Sequence, residues 1–261
     1  MFDYHMHTVV SYDGNNTAEE MLQAAVDAGL KEICFTDHID YDPLDVSRPI
    51  QFATQDYNAA YDHLEAKGLK IRKGFEFGML RDNQELFKKD LQRRDFDFVL
   101  GSMHFIDGLD PYFDLFWENK TMDQAEWSYF ENLLACVQAH DDFDVLGHLT
   151  YISKAWANPT NRPIRYDVYR EITDEIMKEL VRKDKGMEIN TSGKDPVGVF
   201  LPSVEYLRRF KELGGKIITV GSDAHNTKRV GQYCADACRL ACEIFGYVCT
   251  FENRQPIFHK L

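Results

Sequence analysis

Amphipathic stretches alternate with short apolar runs along almost the whole chain, and a glycine often marks the junction between them. Residues 17–20 (TAEE) have the spacing of a capping box, so a helix is expected to open there and to stop at Gly29. Residues 31–36 (KEICFT), rich in β-formers, follow as a strand. The same patterning predicts helices over 52–67, 83–93, 123–140, 166–183, 202–213 and 233–245. It predicts strands over 69–77, 96–103, 143–147, 186–190 and 217–221. With residues 2–5 as the first strand, the chain holds seven strand–helix units. Strict alternation implies a parallel sheet with right-handed crossovers. Seven units in one domain favour a closed, TIM-like α/β barrel; an open doubly wound sheet is the runner-up.

Composition narrows the setting. A hydrophobic share of 44% over 261 residues supports one sizeable core, so a single domain over 1–261 is expected. No apolar run approaches the length of a membrane span, and no basic-then-apolar leader opens the chain, so a cytoplasmic protein is expected. Forty-three acidic against 30 basic residues leave a formal charge of -13. Such a surface repels a polyphosphate backbone, and no basic stripe offsets it, so a small molecule is favoured over nucleic acid. Cations held in a site would reverse the field locally, so a small anionic substrate remains compatible.

Six cysteines occur without a CxxC pair. Cys234, Cys238 and Cys242 fall four apart on one predicted helix face, which suits a packed stripe of small residues better than a thiolate site.

Histidine placement carries the chemistry. His5 and His7 follow the first strand, Asp37 and His38 the second, Glu76 ends the third, His104 the fourth and His148 the fifth, and Asp223 and His225 follow the seventh. His63, His140 and His259 lie elsewhere and are expected to be solvated or core residues. In parallel barrels the C-terminal strand ends share one face, so six histidines and three carboxylates point to one place. His5-Met6-His7 directs two imidazoles the same way along an extended strand, and Asp223-Ala224-His225 repeats the geometry with a carboxylate. Imidazole and carboxylate without thiolate suit zinc, iron or manganese.

Seven motifs resemble the PHP (polymerase and histidinol phosphatase) superfamily, and within it the histidinol-phosphatase branch. They are DYHMHTVVSYDG at 3–14, FTDH at 35–38, GFEFG at 74–78, LGSMHFIDG at 100–108, DVLGHL at 144–149, EINTSG at 188–193 and GSDAHNTKRVG at 221–231. The ending TFENRQPIFHKL is similar as well. The resemblance implies a distorted (β/α)7 barrel with two to three divalent transition metals. One would take His5, His7, Glu76 and Asp223; a second would share Glu76 and add His104 and His148; a third would take Asp13, His38 and His225. Some relatives carry histidine where this chain has Asp13.

The implied reaction is hydrolysis of L-histidinol phosphate by a metal-bridging hydroxide, a step of histidine biosynthesis. No side-chain nucleophile stands out; Ser102 and Ser192 lack a nucleophile elbow. Asp223 or His225 would supply the leaving group's proton, and Arg162, Arg165, Lys194 and Arg229 are candidate phosphate contacts. An acidic loop of Asp40, Asp42 and Asp45 is a candidate for attracting the substrate's ammonium. The small phosphorylated substrate is the expected partner, with neither nucleic acid nor membrane. Rival readings are a phosphatase for another small phosphoester, a PHP nuclease, and a metal-binding module without turnover. No heptad marks an oligomer interface.

Overall fold

A computed structural model describes residues 1–260, the side chains of 45–49 excepted. In chain order the elements are β1 (Phe2–Asp3), α1 (Ala18–Asp27), β2 (Glu32–Phe35), β3 (His38–Asp42), β4 (Asp45–Gln51), α2 (Thr54–Tyr61), β5 (Lys70–Gly78), α3 (Gln84–Leu91) and β6 (Phe98–Ser102). Then come α4 (Asp114–Trp117), α5 (Met122–Ala139), β7 (Val145–Leu146), α6 (Tyr166–Arg182), β8 (Gly186–Asn190), α7 (Val204–Glu212), β9 (Ile218–Gly221), α8 (Cys234–Phe245), β10 (Val248–Glu252) and β11 (Gln255–His259).

Seven strands run parallel in the order β1-β2-β5-β6-β7-β8-β9. The first and last are brought together by Tyr4 N donating to Val220 O at 2.8 Å, His7 N to Ala224 O at 2.8 Å, and a parallel bridge between Met6 and Ala224. The sheet therefore curls into a nearly closed barrel, as the alternating pattern predicts. β2, β6, β8 and β9 are buried along their full length, as parallel strands covered by helices on one side and barrel interior on the other must be.

Local chemistry explains the element ends. Thr17 Oγ1 accepts from Glu20 N at 3.3 Å while Glu20 Oε2 accepts from Thr17 N at 3.0 Å, which opens α1 reciprocally. Thr121 and Gln124 form a second capping box at α5. The helix expected to reach residue 67 stops at Tyr61, and of α2 only Tyr57 and Tyr61 are buried. Cys234 and Cys238 are buried on α8 and Cys242 is half-buried, all free thiols in a helix stripe.

Two hairpins depart from the sequence reading. The expected acidic loop is a hairpin of β3 and β4, and β3 continues the barrel wall by pairing with β5, His38 opposite Glu76. Asp40 is consequently buried rather than exposed at a mouth. Asp42 Oδ1 accepts from Leu44 N, and the Asp45 side chain lies outside the described residues. The C-terminal β10–β11 hairpin was hidden by the apolar run at the end of α8.

Candidate metal centre

The strand ends converge as the fold requires. Glu76, His104, His148 and Asp223 are buried and line one cavity of about 270 Å³ together with Asp13, His38 and His225, and His5 and His7 are buried against Glu76. Glu76 stands at the middle. Its Oε2 lies 3.2 Å from His5 Nε2, 3.4 Å from His7 Nε2 and 3.2 Å from His38 Nδ1. Its Oε1 lies 3.3 Å from His104 Nε2 and 2.9 Å from His148 Nε2. Asp223 Oδ1 is 3.7 Å from His5 Nε2 and 3.6 Å from His7 Nε2. Asp13 Oδ2 is 3.4 Å from His38 Nε2 and 2.9 Å from His225 Nε2. His7 also comes within ligand range of Asp13, His38 and His225, and Asp40 within range of His38 and His104.

A ring of outer contacts aims the imidazoles. Glu188 on β8 receives His5 Nδ1 at 2.7 Å, and Asp40 receives His104 Nδ1 at 3.0 Å. His7 Nδ1 meets Ser11 Oγ at 3.4 Å, and His225 Nδ1 meets Asp223 O at 3.0 Å. Each contact leaves Nε2 facing an inner carboxylate, Glu76 for His5, His7 and His104 and Asp13 for His225. Outer partners of this kind fix the ring and raise its basicity as a ligand. Glu188 also accepts from His148 N at 2.8 Å and Asn190 Nδ2 at 3.0 Å.

The buried Nε2 atoms of His5 and His7 and the buried Nδ1 of His38 have no aligned hydrogen bond. Buried polar atoms normally find partners, and imidazole–carboxylate sets of this kind are donors for zinc, iron or manganese. The electrostatics agree. Burial disfavours charge on Glu76, yet His5, His104 and His38 hold its carboxyl well below the usual range. Burial opposes charge on His5 and His104 too, but the carboxylates around them raise both imidazoles well above their ordinary value. The carboxylates thus favour positive charge at His5 and His104, as they would a cation, while burial lowers His7 and His148 and favours their neutral, ligating form. The residues present fit a multinuclear metal site.

Backbone geometry serves the same end. Asp223 adopts φ 56, and its N donates to His5 O at 2.8 Å, so the Asp-Ala-His segment is wrapped against β1. Just before it, a Cβ on Gly221 would lie 2.3 Å from both Glu188 Oε1 and His5 Cβ. Only glycine admits the outer carboxylate and the imidazole so close to this strand.

Several sequence expectations are redirected. Asp37 faces away from the cavity and accepts from Thr8 N at 2.8 Å, Ser11 N at 3.1 Å and Ser11 Oγ at 2.7 Å, with Tyr61 OH in contact. It organises the loop after β1. The four expected phosphate contacts lie outside the cavity lining. Arg162 pairs with Glu126 at 3.2 Å, Arg165 with Asp167, and Arg229 with Asp195 at 3.0 Å, while Lys194 sits over the Phe200 ring at 5.0 Å. Acidic neighbours engage the three arginines. The cation at the site is Lys154, on a 3-10 turn at Tyr151–Lys154; its Nζ is 2.8 Å from Ser192 Oγ and in contact with Asp223 Oδ2. Burial opposes charge on Asp223, but Lys154 and His5 hold its carboxyl well below the usual range, so it carries no proton to donate at neutral pH. His63 pairs with Glu19 at the surface, His140 Nε2 meets Leu80 O at 2.7 Å, and His259 meets Thr250.

The sequence reading leaves out Glu188 and Lys154, and it places Asp40 at the mouth instead of behind His104. Glu188 had a signal: a charged residue inside a strand whose neighbours are apolar must be buried with partners.

Among known proteins, the PHP domain family model matches residues 3–192. A protein named "Probable histidinol-phosphatase" from Clostridium acetobutylicum is 32% identical over 244 residues, covering 92% of each chain. The "Histidinol-phosphatase" of Lactococcus lactis subsp. lactis is 34% identical over 231 residues, covering 87% of this chain and 85% of that one. The crystal structure of histidinol phosphate phosphatase from the same Lactococcus, complexed with zinc, L-histidinol and phosphate, superposes with a TM-score of 0.87 at 29% identity, covering 98% of both chains.

Proposed function

The chain belongs to the PHP domain family, and from that premise we propose that it hydrolyses L-histidinol phosphate to L-histidinol and inorganic phosphate, using two to three divalent transition metals (zinc, iron or manganese). The observation that carries this reading is the convergence of six histidines with Glu76, Asp13 and Asp223 at one small cavity, with His5 and His104 oriented by the outer carboxylates Glu188 and Asp40. The distances support three ligand groups: His5, His7, Glu76 and Asp223; Glu76, His104 and His148; Asp13, His38 and His225. Cations bound there would lower the pKa of coordinated water and neutralise charge on the phosphoryl oxygens.

The chain's own groups divide the remaining work. Glu76 uses both oxygens, so one carboxylate can serve two neighbouring cations. Lys154 Nζ, cationic and nearly buried beside Ser192, is placed to hold a phosphoryl oxygen. Asp223, ionised, is suited to receive a proton rather than deliver one. His225 directs Nε2 to Asp13 and Nδ1 to the Asp223 carbonyl, so with a cation on Nε2 it would act as a ligand, and the proton for the leaving oxygen would come from solvent at the open edge of the cavity. A cavity of about 270 Å³ in a chain of charge -13 suits a small phosphomonoester better than a nucleic-acid strand. Among the described residues no helix is long and apolar enough to cross a membrane. A biosynthetic role would place the protein in the cytoplasm.

The test is phosphate release from L-histidinol phosphate by purified protein, with metal content measured on the same sample. Rapid release with two or three bound metals, both lost in His104→Ala, is the expected result. Metals without release from this ester, but with release from another, would move the substrate and keep the site.

A further inference from the structure

The floor of the cavity is imidazole and carboxylate, but its mouth is different. Tyr12, Tyr112 and Phe113 stand there with 65%, 38% and 67% of their surface exposed, although aromatic side chains normally seek burial. Tyr12 stacks on His38 at 5.3 Å, and Tyr112 leans on Tyr151 at 5.8 Å. One further carboxylate lines the mouth: Asp110. The other lining carboxylates, Asp13, Glu76 and Asp223, each face a histidine or Lys154. Asp110 makes no ion pair among the described residues; its Oδ1 accepts from Tyr112 N at 2.8 Å.

The segment that presents Asp110 is built rather than slack. Ile106 and Leu109 exchange backbone hydrogen bonds at 2.8 and 3.0 Å around Asp107 and Gly108, both left-handed. Asp107 is tied to α5 by Ser128 Oγ at 2.8 Å and Asn132 Nδ2 at 3.1 Å, and Pro111 O accepts from Trp117 Nε1 at 2.7 Å. A half-buried carboxylate is thus held in one place beside aromatic rings, above the point where phosphate would bind.

We propose that Asp110 reads the cationic half of the substrate: it pairs with the ammonium of the leaving alcohol while the rings of Tyr112 and Phe113 flank the imidazole. This rests on the histidinol-phosphate reading for the identity of the ester. The phosphoryl end is drawn to the floor, so the leaving group extends toward the mouth, where a cation meets Asp110. A charge-assisted hydrogen bond at a partly dewatered site is among the stronger polar contacts. It makes Asp110 a specificity determinant that does not touch the phosphorus.

The experiment is Asp110→Asn, which keeps an oxygen for Tyr112 N and removes the charge. Steady-state constants are measured for L-histidinol phosphate and p-nitrophenyl phosphate, and for the pair 2-aminoethyl phosphate and ethyl phosphate. Expected is a loss of about 10- to 100-fold in kcat/KM, mostly through KM, for the two aminated esters. The esters without an amine should change less than about twofold, and Asp110→Glu should recover much of the loss. Equal losses on esters with and without the amine, or none on either, overturn the proposal. If the wild-type protein does not favour L-histidinol phosphate, the parent reading fails. The aminoethyl-to-ethyl ratio in wild type and variant then still decides the role of Asp110.

Discussion

Replacing Glu188 with glutamine tests whether the outer ring of contacts, and not the inner ligands alone, builds the metal centre. Glu188 is buried and accepts three hydrogen bonds, from His5 Nδ1, His148 N and Asn190 Nδ2, at 2.7, 2.8 and 3.0 Å. Glutamine has the same shape but only one accepting oxygen. If that oxygen faces His5, the new amide NH2 meets the His148 N–H, two donors in a dry space. If it faces His148, the NH2 meets His5 Nδ1 and favours the tautomer with hydrogen on Nε2, which cannot ligate. Either way a buried polar group loses its partner, at about 1–3 kcal/mol. At about 1.4 kcal/mol per tenfold, metal affinity should weaken roughly 5- to 150-fold. Outer-contact losses at metal sites fall in the same range of about 10- to 100-fold. The assay is competition of bound zinc against a chelator of known affinity, followed by phosphate release at saturating zinc. Recovery of most activity at high zinc is expected. Unchanged zinc affinity would refute the reasoning, whatever happened to activity.

Lys154→Met should lower kcat/KM for any phosphomonoester about 100-fold while the metals stay bound, measured by steady-state kinetics with metal analysis on the same sample. Gly221→Ala forces a Cβ to within 2.3 Å of Glu188 Oε1 and His5 Cβ. Overpacking of about 1–3 kcal/mol should lower the calorimetric melting temperature by several degrees and reduce bound metal. Chelation should destabilise the fold itself, because cations present at about 1,000 times their Kd contribute about 4 kcal/mol. A drop of roughly 10 °C in melting temperature, reversed by added zinc, is the expected result.

The barrel was legible because each of its strands is preceded or followed by a strong break in periodicity, and the candidate ligands because they sit at strand ends. His5, His38, Glu76, His104, His148 and Asp223 could be placed on one face without coordinates, since parallel strands share a direction. What stayed hidden depends on lateral packing. That Asp37 turns outward and Asp40 inward follows from the register of β3 on β5, His38 opposite Glu76, which no local pattern encodes. The arginines misled because a loop cation is indistinguishable in sequence from one already paired; Glu126, Asp167 and Asp195 claim three of them. Lys154 was overlooked because it lies in a short 3-10 turn with no periodicity of its own.

The positions of these groups separate the protein's two tasks. Ligands on strand ends inherit the rigidity of a closed sheet: Glu76 is held by pairing with both β3 and β6, and His5 by the seam between β1 and β9. Chemistry that depends on atomic spacing is therefore carried by the least deformable part of the fold. The rim groups Tyr12, Asp110, Tyr112 and Phe113 lie on connections, where side chains can change without moving a strand. Their substitution should redirect substrate preference at constant metal content, whereas substitution of Glu188 or Asp40 should do the reverse. A chain of net charge -13 can bind an anion on this plan, because cations held at the floor would reverse the field there while the acidic mouth favours a substrate whose far end is a cation.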